Sequence, residues 1–188
     1  MIVETERLWL RPVTADDLPE LIRLRADEEV SRFIGGVAMQ SPEAVAKRLN
    51  FYLDCHAQYG FGPSMITLKS AGEVIGWGGL QPLEETGEIE VGYGFAKPHW
   101  GHGYATETAA AWLRYGFERA GLARIVAVAD PANKASWDVM EKLGMTYETT
   151  EQHYGSECVV YAISRAEFKP RDSFYLLHDS EQTKGKDG

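Results

Sequence analysis

Residues 100–107, with the sequence WGHGYATE, constrain the fold of this chain more than any other segment. They follow an alternating pattern at 88–95 that predicts a strand, and they lead into an apolar helical pattern at 104–120. Such a turn exposes backbone N–H groups at a helix N-terminus, which carries about half a positive charge. Gly101 and Gly103 lack a Cβ, so their backbone can approach an anion closely. The segment therefore predicts a pyrophosphate-binding turn.

The composition excludes several classes of protein. The 188 residues are 44% hydrophobic and 25% charged, which is typical of an ordinary globular chain and long enough for one domain with a core. The net charge of −9 argues against binding to nucleic acid and is compatible with a cationic substrate. The sequence shows no membrane-spanning stretch and no signal-peptide pattern, so we expect a cytoplasmic protein without a membrane partner.

The cysteines and histidines do not have the spacing of a metal site. Cys55 lies late in a helical pattern, and Cys158 lies in an apolar run, where a cysteine behaves as a small hydrophobic residue. His99, His102 and His153 are near the predicted site in the sequence but lack metal-ligand spacing. We therefore expect no metal cofactor.

Hydrophobic periodicity and capping signals predict a mixed α/β order of elements. Thr14 and Asp17 form a predicted capping box, and Ser41 is a predicted N-cap for a helix that ends near Gly60. The predicted helices are a first one after residue 14 and others at 41–60, 104–120 and 136–143. The predicted strands are 7–11, 65–68, 74–80, 88–95, 124–129, 145–149 and 158–163. From residue 169 the chain is polar, and we expect 180–188 to be disordered.

This order of elements, together with several short blocks of sequence, resembles the GNAT N-acetyltransferase superfamily over about residues 4–168. The chain is most similar to its ribosomal-protein-alanine N-acetyltransferase branch. The blocks are TERL at 5–8, LRP at 10–12, GY at 92–93, WGHGYATE at 100–107, NKAS at 133–136 and EKLGM at 141–145. The resemblance implies a single mixed α+β domain at 1–168 and a polar tail at 169–188. It also implies a mostly antiparallel central sheet, flanked by helices and split at the coenzyme site.

The resemblance implies that acetyl-CoA binds as a cosubstrate at this split. The pyrophosphate-binding residues implied are those of the turn and the first helical turn: Trp100, Gly101, His102, Gly103, Tyr104, Ala105 and Thr106. Trp100 stands where the family usually has a polar residue. Backbone groups implied to hold the pantetheine arm and the thioester oxygen belong to Tyr93, Gly94 and Phe95, with Asn133 and Ser136 beside the arm. Gly94 could also be simple tolerance at a sheet end, and Asn133 a turn residue satisfying local backbone.

Glu90 is the first choice for the general base that deprotonates the amine, directly or through a water. The alternative is that Glu88 and Glu90 form a solvated face. Ser136 could donate a hydrogen bond to the leaving sulfur, although a serine at this position is also an ordinary helix N-cap. Many relatives place a tyrosine acid where this chain has Met140, so a dedicated tyrosine acid is not expected at that position.

The resemblance thus implies an N-acetyltransferase that acts on a primary amine, with a protein N-terminal amine as the first candidate acceptor. Aminoglycosides, polyamines and amino acids remain open as small-molecule acceptors. A module that binds acyl-CoA without catalysis is also open, and Met140 favours it. The resemblance places five residues in segments that line the acceptor cleft, although each is also compatible with a core or rim position: Phe33, Ile34, Gly36, Trp77 and Tyr154. The sequence leaves both a monomer and a homodimer possible.

Overall fold

Nine strands form one sheet in the computed structural model, which describes residues 1–179. The strands are β1 (Ile2–Thr5), β2 (Leu8–Pro12), β3 (Ser64–Leu68), β4 (Glu73–Pro82), β5 (Ile89–Phe95), β6 (Arg124–Ala129), β7 (Thr146–His153), β8 (Ser156–Ser164) and β9 (Tyr175–His178). Their order across the sheet is β7-β8-β6-β5-β4-β3-β2-β1-β9. Neighbouring strands are antiparallel, except that β5 and β6 are parallel. The mixed, mostly antiparallel fold class is confirmed.

Helices cover both faces of this sheet. They are α1 (Leu18–Arg25), α2 (Glu28–Ser31), α3 (Pro42–Tyr59), α4 (Tyr104–Glu118) and α5 (Lys134–Lys142). The predicted caps of α3 are confirmed: the Ser41 hydroxyl accepts a hydrogen bond from Ala44 N at 3.2 Å, and Gly60 ends the helix in the left-handed conformation. The predicted box of Thr14 and Asp17 is present and leads through a short 3-10 turn into α1.

Each face of the sheet has its own core cluster. Trp112 and Leu113 of α4 are fully buried on one face, and Leu21 of α1 and Leu49 of α3 are buried on the other. Burying a large apolar side chain contributes roughly 1.5–3 kcal/mol, so these contacts fix the helices on the sheet. None of the helices within residues 1–179 has the length and apolar character needed to cross a membrane.

The sheet is split between its two central strands, as predicted. One residue pair, Glu90 with Val126, joins β5 to β6. Beyond it, towards the carboxyl ends, β6 continues to pair with β8 as far as Ala129, while β5 continues to pair with β4 as far as Phe95. The two strands therefore lose their mutual ladder just where the α4 turn follows β5.

The C-terminal boundary predicted from sequence needs correction within the described residues. The sequence analysis ends the domain at residue 168, but Tyr175–His178 forms β9 and pairs with β1 through four residues. The sequence analysis missed this strand because it has only four residues, lies at the edge of the sheet and belongs to a polar segment. The predicted disorder at 180–188 falls outside the described residues and stays a prediction.

Candidate active site

The turn before α4 has the geometry of an anion cradle. Gly101 and Gly103 adopt φ values of 77° and 81°, a region that side chains rarely occupy. A Cβ on Gly101 would meet nothing within 4 Å, and a Cβ on Gly103 would meet an Arg7 nitrogen at 3.5 Å. Gly103 is the N-cap of α4 and supplies no side-chain cap. The amides of the first helical turn are therefore available to a phosphate, which is the fit that a pyrophosphate requires.

Several of the predicted pyrophosphate-binding residues lie together in this turn. The amides of Tyr104, Ala105 and Thr106 precede the first helical hydrogen bond, which runs from Glu107 N to Gly103 O at 3.0 Å. The His102 ring stacks on the Tyr104 ring with centroids 5.7 Å apart. These rings border the turn.

An ion pair between Arg7, in the turn that joins β1 to β2, and Glu107 of α4 braces the turn before α4, and the sequence analysis did not assign it. Arg7 Nε donates to Glu107 Oε2 at 2.7 Å, and Arg7 N donates to Oε1 at 2.8 Å. The Thr5 hydroxyl donates to the same Oε1 at 2.6 Å, and Arg7 Nη1 donates to His102 O at 2.9 Å. The Glu107 carboxylate, which alone would repel a phosphate, is thereby paired with a guanidinium. The blocks TERL and WGHGYATE contain both partners, but their pairing depends on the fold.

Replacing Arg7 with alanine is expected to weaken acetyl-CoA binding roughly 3- to 30-fold, because it leaves Glu107 unpaired beside the phosphate site and frees the His102 carbonyl. The melting temperature should fall by only a few degrees, since exposed ion pairs contribute little to stability. Calorimetric titration with acetyl-CoA measures the effect, and Arg114→Ala, which removes an exposed pair further along α4, is the matched control. Equal affinities for the two variants would contradict the bracing role.

Trp100 connects the turn to the end of β5. Its indole Nε1 donates to Phe95 O at 2.7 Å, while the ring stays 40% exposed. The Trp100 carbonyl in turn lies 2.8 Å from His102 Nδ1. Trp100 therefore stands where the family usually has a polar residue. Its indole N–H donates a hydrogen bond to a backbone carbonyl that has no strand partner at the split.

Along β5, the backbone N–H and C=O groups of successive residues point alternately to β4 and to the split. Ala96 N donates to Ile75 O, so residues of the same parity, including Gly94, direct their N–H and C=O groups to β4. Tyr93 and Phe95 direct theirs to the split. The prediction for Gly94 therefore needs correction: its backbone faces β4. Its missing Cβ accommodates the Trp77 indole, which would lie 2.4 Å from that Cβ.

Ser136 is not the N-cap of α5. Asn133 caps this helix, and its side chain accepts a hydrogen bond from Ser136 N at 3.3 Å. The Ser136 hydroxyl is instead 3.1 Å from the Tyr93 hydroxyl. Burial raises the pKa of Tyr93 to about 12, so this hydroxyl keeps its proton at neutral pH. Met140 is 2% exposed and belongs to the core, whereas Tyr93 and Ser136 have hydroxyl groups that are able to donate a hydrogen bond.

Glu90 is not part of a solvated face. Its side chain is buried, with 4% of the residue exposed, whereas Glu88 is exposed and accepts a hydrogen bond from Arg124 at 3.0 Å. Gln81 Nε2 donates to Glu90 Oε1 at 2.6 Å, and the Tyr154 hydroxyl donates to the same oxygen. Burial raises the pKa of Glu90, although these two hydrogen bonds oppose the rise. The alternative interpretation thus holds for Glu88 and fails for Glu90.

The β7–β8 hairpin brings Tyr154 over Glu90. Tyr154 is the one non-glycine residue in the described chain with positive φ, at 53°. That conformation costs roughly 1–2 kcal/mol. Glu85, in the loop before β5, stabilises it: Glu85 Oε1 accepts from Tyr154 N at 2.7 Å, and Oε2 lies 3.3 Å from His153 Nδ1. The family resemblance implied that Tyr154 lies near the acceptor cleft, but its contact with Glu90 depends on the fold of this hairpin.

The raised pKa of Glu90 makes a prediction about stability. A carboxyl group with a raised folded-state pKa stabilises the fold below its unfolded pKa, near 4.5, and this contribution is lost as pH rises through the folded-state pKa. Glu90→Gln removes the ionisable group. As pH rises from 4.5 to 8, the free energy of unfolding of this variant should therefore increase relative to that of the unaltered chain. Urea denaturation across this range measures the difference. Glu88→Gln, at an exposed carboxylate, controls for net charge, and a pH-independent difference for Glu90→Gln would contradict the burial argument.

Comparisons with known proteins identify the family and the fold. Residues 7–146 match the Acetyltransferase (GNAT) domain family. The chain is 34% identical to Bacillus subtilis protein YkkB over 84% of this chain and 92% of that protein. It is 30% identical to the Aspergillus fumigatus FsC-acetyl coenzyme A-N(2)-transacetylase, covering 79% of this chain and 66% of that protein. An acetyltransferase structure from Agrobacterium tumefaciens superposes with a TM-score of 0.78 at 30% identity, covering 87% of this chain and 94% of that one.

A structure of RimL, a ribosomal L7/L12 alpha-N-protein acetyltransferase in complex with coenzyme A, shares the fold. It superposes with a TM-score of 0.73 at 19% identity, covering 87% of this chain and 98% of that chain.

Proposed function

The chain belongs to the GNAT family of acetyl-CoA-dependent N-acetyltransferases, and from this premise we propose that it acetylates a primary amine that Glu90 deprotonates. One observation carries the proposal. Glu90 is a buried carboxylate, and it forms the last residue pair before β5 and β6 separate. A base at this point lies at the apex of the split where the family holds its coenzyme.

The environment of Glu90 suits a general base. An alkylammonium has a pKa of roughly 10 and must lose a proton before it can attack. A carboxylate whose pKa is raised accepts that proton more readily than an exposed one. Gln81 and Tyr154 both donate to Oε1, so Oε2 has no hydrogen-bond donor among residues 1–179 and can accept a proton directly or through a water.

Acetyl-CoA supplies the thioester that the amine attacks. The amides at the start of α4, with Gly101 and Gly103, would bind its pyrophosphate. The backbone of Tyr93, which faces the split, would hold the pantetheine arm. The hydroxyls of Tyr93 and Ser136 can donate a hydrogen bond to the departing sulfur. Because a thiol has a pKa near 8.5, such a hydrogen bond is sufficient help for a leaving thiolate.

Two classes of acceptor have support. A protein N-terminal amine is supported by the sequence blocks shared with the ribosomal-protein branch. A small-molecule amine is supported by the 30% identity to a transacetylase whose name specifies an N(2) acceptor. We place the two classes on an equal footing and distinguish them by experiment.

The test is release of free coenzyme thiol from acetyl-CoA with a panel of N-terminal peptides, aminoglycosides, polyamines and amino acids. Turnover with one class would establish the acceptor class, and we expect it to require Glu90. Tight acetyl-CoA binding without release for any amine in the panel would favour the non-catalytic binding module and contradict the proposal.

A further inference from the structure

Arg25, on α1, is a buried cation without an anionic partner among residues 1–179. Among the described lysines and arginines, Arg25 alone is buried, with 8% of the residue exposed. Its Nε donates to the neutral Gln40 Oε1 at 2.8 Å, and its guanidinium lies 5.0 Å from the centre of the Trp77 ring. No carboxylate within residues 1–179 forms an ion pair with it. Burial lowers the pKa of the Arg25 guanidinium, while Tyr52 beside it opposes this shift.

The contacts of Arg25 with the Gln40 amide and the Trp77 ring stabilise the guanidinium but do not neutralise its charge. Gln40 and Trp77 could be contacted by a neutral side chain of similar length without the cost of desolvating a charge. The nearby Arg48 is different, because its Nη1 donates to Glu84 Oε1 at 2.8 Å. Arg48 also lies close enough to Arg25 to repel its charge. An uncompensated charge beside a second cation is typical of a site that awaits an anion.

Arg25 and Glu90 lie on the same face of the sheet. Trp77 and Gln81 project from one face of β4 because they are four residues apart. Trp77 contacts Arg25 and packs on Gly94, while Gln81 donates to Glu90. Four residues of strand span roughly 13 Å, so the contacts of the two charges with β4 are separated by about this distance.

Open room lies between these two ends on β5. A Cβ built on Gly92, midway between Glu90 and Gly94, would meet nothing within 4 Å. The α3 side chain of Tyr52 lies next to both Arg25 and Arg48, and Arg48 lies 5.7 Å from the centre of the Tyr154 ring. The same wall of side chains therefore extends from the buried cation to the buried carboxylate.

We propose that Arg25 binds an anionic group, a carboxylate, carried by the amine acceptor, and so selects acceptors that contain both charges. The inference rests on the proposed function, since it takes the amine to lie at the Glu90 end. The buried Arg25 cation and the buried Glu90 carboxylate form no ion pair within residues 1–179. Together they complement an acceptor that has one carboxylate and one amine separated by several bonds. An ω-amino acid and a peptide with an acidic side chain near its N-terminus both have this chemistry.

The test uses matched pairs of acceptors that differ only in the anion. The small pairs are 4-aminobutyrate with 4-aminobutyramide and 6-aminohexanoate with 6-aminohexanamide. The peptide pair is Ala-Glu-Ala with Ala-Gln-Ala, both amidated at the C-terminus. Affinity is measured by calorimetry on protein saturated with coenzyme A, and kcat/KM by thiol release. Comparing the small and peptide pairs identifies which source of the carboxylate fits. The variants are Arg25→Met and its control Arg23→Met, which removes an exposed arginine paired with Glu20.

We expect at least one acidic member to be preferred about 10- to 100-fold, as for a hydrogen bond to a charged group, and Arg25→Met to abolish that preference. Arg23→Met should leave the turnover of every member close to that of the unaltered enzyme. Arg25→Met should also raise the melting temperature, because it removes an uncompensated charge, whereas loss of a structural contact would lower it. The inference is overturned if no pair shows a preference, or if Arg25→Met retains it. The affinities are measured without turnover. An inactive enzyme would therefore contradict the proposed function, but the preference for the acidic acceptor could still be measured.

Discussion

Replacing Glu90 with glutamine is expected to lower kcat by roughly 100- to 1,000-fold at neutral pH, the range typical of a lost general base. The amide can still accept the hydrogen bonds that Gln81 and Tyr154 now donate to Glu90 Oε1, so the surroundings should hold. The dissociation constant for acetyl-CoA should change less than about threefold, because the phosphate cradle lies on α4. Steady-state kinetics with the best acceptor of the panel, together with coenzyme titration, separates the two effects.

The matched control is Glu88→Gln, two residues earlier, where the carboxylate is exposed and paired with Arg124. This variant should keep kcat within about twofold, because an exposed pair contributes little. The acidic limb in the pH profile of kcat/KM, which reports the free base, should be present in the unaltered enzyme and absent in Glu90→Gln. Normal turnover by folded Glu90→Gln at pH 7 would remove this residue from the mechanism.

The elements with strong local signals could be predicted from the sequence. The bounds of β6 (Arg124–Ala129) and the caps of α3 follow from a short apolar run and from a serine and a glycine at fixed offsets. The two strands at the far edge of the sheet, β1 and β9, could not be predicted. Each has four residues, and their pairing joins opposite ends of the chain, so no local pattern announces it.

The candidate site shows the same division. The cradle glycines were found because a strand, a turn and a helix succeed one another within a short segment. The brace between Arg7 and Glu107 joins residues 100 positions apart, and the contact between Glu90 and Tyr154 spans 64 positions. Strand alternation placed Glu90 on a face but could not show that a distant hairpin buries that face. Burial of Glu90 is therefore a tertiary effect that overrides the polar appearance of the strand.

Replacing Gly103 with proline is expected to abolish measurable acetyl-CoA binding, a loss of at least about 100-fold. Gly103 has φ at 81°, and proline is restricted to φ near −65°. The substitution also adds bulk and removes an N–H at the N-cap of α4, where the helix supplies no capping side chain. The amides of the first helical turn would lose the common orientation that a pyrophosphate needs. Calorimetric titration with acetyl-CoA measures the loss, and circular dichroism establishes that the variant is folded.

The control for this prediction is Gly72→Pro in the β3–β4 turn, where the glycine also has positive φ, at 66°, and open space around it. It imposes the same backbone conflict on a turn outside the proposed site, so acetyl-CoA affinity should stay within about threefold. If Gly103→Pro does not fold, Gly103→Ala tests the same point, since a strained left-handed alanine should still weaken binding more than Gly72→Ala does. Equal affinities for the two positions would show that the pyrophosphate does not bind at this turn, and the coenzyme site would have to be sought elsewhere along the split.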